Sequence, residues 1–259
     1  MNLYQLKKWL KIYFNELYHE YIREVFQSNR DSKIKQYVPK APIKKEEPYD
    51  ESKDIKYFVP ILEGKDEIFN KAISYVKSRN IEESIWSKFY VSIGGRFQGR
   101  LIIPFYNKED IYFYQARSLI GQEPKYLNRK TDDRPIFNIF NIDRDKEVLV
   151  TEGPIESMFV ENGIAVLGVK YKDKVKEELD RLNCFYIWDN DKDGKKKSLQ
   201  FLQECKYVFN WKKFLQDAKI LKDVKDVNDL VLLSGINKFR YDMIKEYFTN
   251  DICDTFWFK

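Results

Sequence analysis

Apolar residues recur at helical spacing near the start of the chain. Leu3, Leu6, Leu10, Tyr13, Phe14, Leu17, Tyr21 and Val25 predict an amphipathic helix or helix pair over residues 3–27. The period is lost over residues 28–60. There Lys40–Pro48 is charged and proline-punctuated, and reads as a linker or extended arm. It returns with Phe69, Ala72, Ile73 and Val76, which predict a helix carrying Asp66 and Glu67 in its first turn. A second short helix is expected over Ile81–Phe89. Leu101–Phe105 and Ile111–Arg117 then read as strands joined by a turn at Asn107–Asp110, a hairpin. From residue 148 strand and helix alternate. Strands are expected at 148–150, 164–168 and 185–188, and helices at 154–162, 173–182 and 198–207. A further strand is expected at 217–221 and a helix over 235–249, before the aromatic tail Phe256-Trp257-Phe258. The alternation predicts the α/β class, with a doubly wound parallel sheet after a mixed α+β segment. The expected divisions are 1–64 for the helix and linker, 65–145 for the α+β segment, 146–234 for the parallel sheet and 235–259 for the C-terminal helix and tail.

The chemistry gathers where apolar strands end. Phe185-Tyr186-Ile187-Trp188 runs directly into Asp189, Asp191 and Asp193, and then Gly194. Alternate residues of an extended chain point the same way, so Asp189 and Asp191 can offer two carboxylates to one divalent cation. An oxygen-only pair suits Mg²⁺, which keeps several waters. Glu152 follows the strand at 148–150 in the same manner, with Gly153 to allow a tight turn and Pro154 to open a helix. Glu156 lies one turn further on. If the two strands are neighbours, their acids converge to about 5–10 Å. A third acidic stretch, Lys222–Leu230, brings Asp226 as a further candidate, while Asn228 or Asp229 reads as a helix cap.

Composition narrows the classes. The 259 residues carry a net charge of +5, but the distribution says more. From Lys88 to Lys130 there are eight Lys/Arg against three Asp/Glu, a concentration that points to a polyanion. The three cysteines form no C-x-x-C pair, so zinc-ribbon spacing is absent, and their odd number suits a reducing compartment. A single histidine, His19, excludes a His-based triad. Neither a signal peptide nor an apolar run of about 18 residues is seen, so a cytoplasmic location without membrane attachment is expected.

In order and spacing these motifs resemble the TOPRIM domain shared by bacterial-type primases, topoisomerases and some nucleases. The matching residues are Glu152-Gly153, Asp189-x-Asp191-x-x-Gly194 and Lys225-Asp226-x-Asn228. The preceding block, with Arg96-Phe97-Gln98-Gly99-Arg100, Tyr114-Gln115-Ala116-Arg117 and Pro124-Lys125-Tyr126-Leu127-Asn128, resembles the basic subdomain of DnaG-like DNA primases of bacteria and bacteriophages. So does Ala72-x-x-Tyr75-Val76-x-x-Arg79-Asn80-Ile81. The resemblance implies a TOPRIM, Rossmann-like sheet and synthesis of short RNA primers on single-stranded DNA from ribonucleoside triphosphates. It implies Mg²⁺, with Mn²⁺ as an alternative, on Glu152, Asp189 and Asp191, with Asp226 assisting. By the same resemblance the glutamate helps to deprotonate the nucleophile. Arg96, Arg100, Arg117, Lys125 and Asn128 are expected to hold template and triphosphate, with Tyr114 and Tyr126 stacking bases. Asp193 falls outside the family spacing. Lys195, Lys196 and Lys197 are read as solvating a helix start or touching nucleic acid. The family's N-terminal zinc ribbon has no counterpart here, and no P-loop is present. The ribbon is then either lost or supplied by a separate zinc-ribbon protein, and a replicative helicase is an expected partner, docking on the first helix or the aromatic tail. Two other readings stand beside this one: a TOPRIM nuclease, and a degenerate primase that only binds single-stranded DNA.

Overall fold

Strands with two different burial patterns build two different sheets. The structure is a computed structural model that describes residues 51–258, apart from Glu109, 132–134 and 169–172. The expected helix at 3–27 and arm at 40–48 lie outside the described residues. After a 3₁₀ turn at Glu51–Tyr57, the chain enters β1 (Phe58–Pro60). Helix α1 (Glu67–Ser78) follows, burying Phe69, Ala72 and Val76. Then come β2 (Tyr90–Ser92), β3 (Arg100–Asn107), β4 (Asp110–Ser118) and β5 (Tyr126–Asn128). These strands make an antiparallel sheet in the order β1-β2-β3-β4-β5. The expected hairpin is β3–β4. Residues 58–60, read as linker, are instead its edge strand.

The second sheet contains β6 (Ile136–Phe137), β7 (Val148–Thr151), β8 (Gly163–Val166), β9 (Cys184–Ile187), β10 (Tyr207–Phe209) and β11 (Phe248–Thr249), in the order β11-β10-β9-β7-β8-β6. Its central four strands are parallel, with an antiparallel strand at each edge. The helices in this half are α2 (Pro154–Met158), α3 (Asp173–Asp180), α4 (Lys192–Gln203), α5 (Trp211–Asp217), α6 (Val227–Ser234) and α7 (Tyr241–Ile244). They cover both faces, which is why the parallel strands read as unbroken apolar runs. Leu149, Phe185 and Ile187 join one core with α1, Ile155 of α2 and Leu230 of α6. Val148, Val150, Tyr186 and Trp188 join the other with Leu179 of α3, Phe201 of α4 and Phe258 of the tail. The first core also takes Leu101 and Ile103 from β3, so both sheets share it.

Five local expectations are corrected. Residues 217–221 form no strand; α5 ends at Asp217, Lys219 adopts φ 54°, and Leu221 is fully exposed. The strand position is filled by Tyr207–Phe209, read as the end of a helix. That helix stops earlier, because Cys205 turns left-handed at φ 54° and the next apolar residues, Val208 and Phe209, are buried in the sheet. The helix expected over 235–249 is broken: Gly235, at φ 69°, ends α6, and only Tyr241–Ile244 is α-helical before β11. Ile81–Phe89 supplies a 3₁₀ turn at Glu83–Lys88. Finally, β6 pairs with β8, so residues before 146 also belong to the second sheet. All three cysteines are free. No helix of the described residues is long and apolar enough to cross a membrane.

Candidate active site

The register of the parallel sheet brings two acidic strand ends together. β7 and β9 are neighbours, with Thr151 opposite Ile187. Glu152 and Asp189 therefore leave adjacent strands at the carboxyl edge, where open α/β sheets place their sites. Asp191 caps α4, its Oδ1 accepting from the amides of Asp193 at 3.1 Å and Gly194 at 3.0 Å. Gly194 is required by close approach: a Cβ there would stand 1.8 Å from the Asp189 carbonyl oxygen. Gly153 needs no unusual backbone, having φ −112°. It makes room for the Glu156 carboxylate, which lies 2.2 Å from where a Cβ would be.

A third segment is tied to this edge through Asn190. Its backbone N–H donates to the Lys225 carbonyl at 2.6 Å, and its Nδ2 to the Val224 carbonyl at 2.9 Å. Asp226 follows and caps α6, its Oδ1 accepting from the Asp229 amide at 2.8 Å. The cap is thus Asp226, while Asp229 accepts from the Lys225 amide at 3.1 Å. Asn228, expected as a cap, is fully buried and bonded to Arg79 at the end of α1.

A groove of about 580 Å³ runs along this edge. Glu152, Glu156, Asp189 and Asp226 line it from the second sheet, with Lys225 beside them. Gln115, Lys125, Tyr126 and Asn128 line it from β4, β5 and the loop between them, and Arg79 from the end of α1. Burial, then the charges of Glu152, Glu156 and Asp226, push Asp189 up to about 7. Glu156 is also pushed up to about 7, chiefly by burial, with Asp226 and Glu152 adding to it. Burial raises Asp226 as well. Asp191 moves the other way, because the Gly194 amide and then Lys225 stabilise its charge. Its Oδ2 lies 3.6 Å from Lys225 Nζ. The cations are crowded too: Lys125 is lowered first by Arg117, then by burial, Arg79 and Lys225. Like charges thus face one another within each set, which a bridging ligand of mixed charge would relieve.

Among the described residues, no three His, Cys, Asp or Glu side chains meet as a closed metal site. The acids that line the groove offer carboxylate oxygens, and their mutual repulsion is only partly offset by Lys225. Mg²⁺ retains water and takes one or two carboxylates, so this open, under-neutralised set fits it.

The structure separates the expected binding residues by strand parity. Gln115 and Arg117 lie on one face of β4, and Tyr114 and Ala116 on the other. Arg117 borders the groove: its Nη1 donates to Tyr126 Oη at 2.6 Å, and its guanidinium lies 4.1 Å from the Tyr75 ring centroid. Tyr126 is 38% exposed and can meet a base. Tyr114 cannot, since it is buried edge-on against Phe58 and Phe97. Arg100 pairs with Ser118, the same parity as Tyr114, and so faces away. It is buried and donates to the carbonyls of Pro124 at 2.9 Å and Lys125 at 3.4 Å. Its place is behind Lys125, holding that loop. Arg96 stands in a 3₁₀ turn over the Phe97 ring, away from the groove lining. Lys197 is buried, neither solvating the helix start nor open to nucleic acid. Arg79, Gln115 and Lys225 join the groove without having been expected as binding residues. Arg79 and Lys225 stand inside family-like motifs, and Gln115 shares the parity of Arg117, so signals for all three were present.

No family model matches the chain. It is 30% identical to the DNA primase of Enterobacteria phage T4 over 268 residues, covering 94% of this chain and 73% of that protein. Among solved structures it is similar to the RNA polymerase domain of Mycobacterium tuberculosis primase DnaG, with a TM-score of 0.57, 18% identity, and 77% and 82% of the two chains covered. A DnaG primase catalytic domain bound to ssDNA superposes with a TM-score of 0.55 at 16% identity, covering 77% of each chain. The E. coli primase catalytic core gives 0.53 at 15%, covering 77% of this chain and 79% of that one. At these identities the structural likeness is one of fold. Taken with the sequence kinship to the phage protein, it places this chain in the family of DnaG-like DNA primases.

Proposed function

We propose that the groove is where this primase joins ribonucleoside triphosphates on a single-stranded DNA template, releasing pyrophosphate at each step. The observation that carries the reading is one cavity holding under-neutralised acids beside crowded cations and an exposed aromatic ring. Arg79, Arg117 and Lys125 hold phosphates, arginine through its two-pronged donor geometry. Tyr126 stacks a template base, and Asn128, bonded to Gln115 at 3.2 Å, presents a fixed amide to the nucleotide. Glu152, Asp189 and Asp226 would hold Mg²⁺, or Mn²⁺ in its place, with Asp191 joining through Oδ2 once Lys225 moves aside. The bound ion supplies positive charge to the triphosphate and to the attacking and leaving oxygens. A replicative helicase and a separate zinc-ribbon protein belong to the same reading as partners, each expected to raise synthesis when added.

The test is template-directed synthesis with labelled ribonucleotides and Mg²⁺. Wild type makes short RNA, and Asp189→Ala makes none while still binding single-stranded DNA. Absence of product from wild type, with or without an added zinc-ribbon protein, overturns the proposal. Cleavage of DNA without nucleotides would favour the nuclease reading instead.

A further inference from the structure

Lys197 occupies a position that the amphipathic pattern reserves for an apolar residue. The inward residues of α4 are Gly194, Lys197, Ser198, Phe201 and Leu202, a continuous helical stripe. Lys195 is half-buried and Lys196 exposed, but Lys197 is only 2% exposed. Its Nζ lies 3.4 Å from Glu152 Oε1 and 4.1 Å from the centroid of the Trp188 ring. It makes no hydrogen bond of good geometry. Burying an ammonium costs several kcal/mol unless it is paired, and the carboxylate it reaches belongs to the active-site groove. Glu152 lines that groove and Lys197 does not. Lys197 borders a separate cavity along α3 and α4, but its Nζ is itself buried, so the ammonium meets the carboxylate from the side away from the groove. Trp188, which it overlies, immediately precedes Asp189, and the Trp188 carbonyl is fixed by Trp211 Nε1 at 2.7 Å.

We propose that Lys197 is a positioning residue for Glu152: its buried ammonium holds one carboxylate oxygen from behind and leaves the other turned to the groove, where Glu152 would help to hold a divalent ion. This rests on the reading of the groove as the metal site. Lys197 then competes with the ion for Glu152. Metal affinity is held below what the acids alone would give, while the orientation of the Glu152 carboxylate is fixed.

Lys197→Met removes the charge and keeps most of the volume. With Mn²⁺ as the probe, monitored by electron paramagnetic resonance, the variant binds about tenfold tighter than wild type, as expected for removal of one nearby positive charge at moderate effective dielectric. Its primer synthesis falls. A merely structural lysine would give unchanged or weaker Mn²⁺ binding when replaced, and that result overturns the proposal. In a Glu152→Gln background, Lys197→Met leaves Mn²⁺ affinity unchanged; a persisting tenfold gain also overturns it, because the lysine would then act on the ion directly.

Thermal melts without metal give a second reading that does not need Lys197→Met to fold. Glu152→Gln in the native chain leaves the ammonium buried and unpaired, so the Tm drops by several degrees; an unchanged or raised Tm overturns the pairing. If wild type binds no Mn²⁺, the metal reading fails, and with it the competition. The melts then still decide whether Lys197 holds Glu152.

Discussion

Arg79 and Asn228, 149 positions apart, hold each other by two hydrogen bonds. Arg79 Nη1 donates to Asn228 Oδ1 at 2.8 Å, and Asn228 Nδ2 donates to the Arg79 carbonyl at 2.7 Å. The pair joins the end of α1 to the first turn of α6, and so sets a groove cation beside Asp226. Asn228→Ala leaves a carbonyl and a guanidinium without their partner. Stability is expected to fall by about 1–3 kcal/mol in denaturant unfolding, and single-stranded DNA binding to weaken as Arg79 loses its orientation. Unchanged binding would mean that Arg79 lies off the template path.

Gly194→Ala is the severe single change. Its Cβ would fall 1.8 Å from the Asp189 carbonyl oxygen, a backbone atom that no rotamer change can move aside. The start of α4 must shift away from the strand end, and the helix loses its Asp191 cap. The expected outcome is a loss of stability above about 4 kcal/mol, at the exceptional end for point changes. Thermal unfolding checks it.

The acid cluster makes a signed prediction for pH. Asp189 and Glu156 stand at about 7 in the metal-free protein, against about 3.9 and 4.3 for unperturbed carboxyls. A raised folded-state pKa means that the folded chain holds the protons more tightly. This contribution to stability is complete below about pH 4 and is lost as pH rises through 7. Without metal, the Tm difference between wild type and Asp189→Asn should therefore grow between pH 5 and 8, with the variant the more stable at pH 8. Adding Mg²⁺ should raise the wild-type Tm at pH 8 and leave the variant less affected. A pH-independent difference would show that the carboxylates do not share one field.

Strand parity separates residues that the sequence groups together. Arg117→Ala should reduce the salt slope of single-stranded DNA binding by about 0.7 for each phosphate left without its cation. Arg100→Ala should lower the Tm instead, by loosening the loop at Pro124–Lys125 that its guanidinium holds. Likewise Tyr126→Ala should weaken binding by about 1–3 kcal/mol through the missing stacking with little effect on Tm. Tyr114→Ala should do the reverse, since its ring lies in the core. Binding titrations at several salt concentrations, paired with melts, distinguish the four variants.

Much of this was legible in the chain. Four apolar residues running into Asp189, and three into Thr151 and Glu152, mark buried parallel strands that end in acids. That pattern follows from burial on both faces of a short run of neighbouring residues. It determined the class, the hairpin and the acidic edge. The helix-and-strand boundaries after residue 204 were not legible. Left-handed turns at Cys205 and Lys219 carry no glycine to announce them, and a three-residue strand such as Tyr207–Phe209 has too few positions to establish a period.

What only the tertiary structure decided is which charges face the groove. Arg100 and Arg117 are alike in composition and motif, yet β3–β4 pairing turns one inward and the other toward Tyr75 and Tyr126 at the border of the groove. Lys195, Lys196 and Lys197 read as one basic run, yet helical rotation buries the third beside Glu152. The sequence by itself determined the strands and the acids at their ends, because these depend on near neighbours. Side-chain direction and pairing depend on strand register and helix docking, which join residues far apart in the chain.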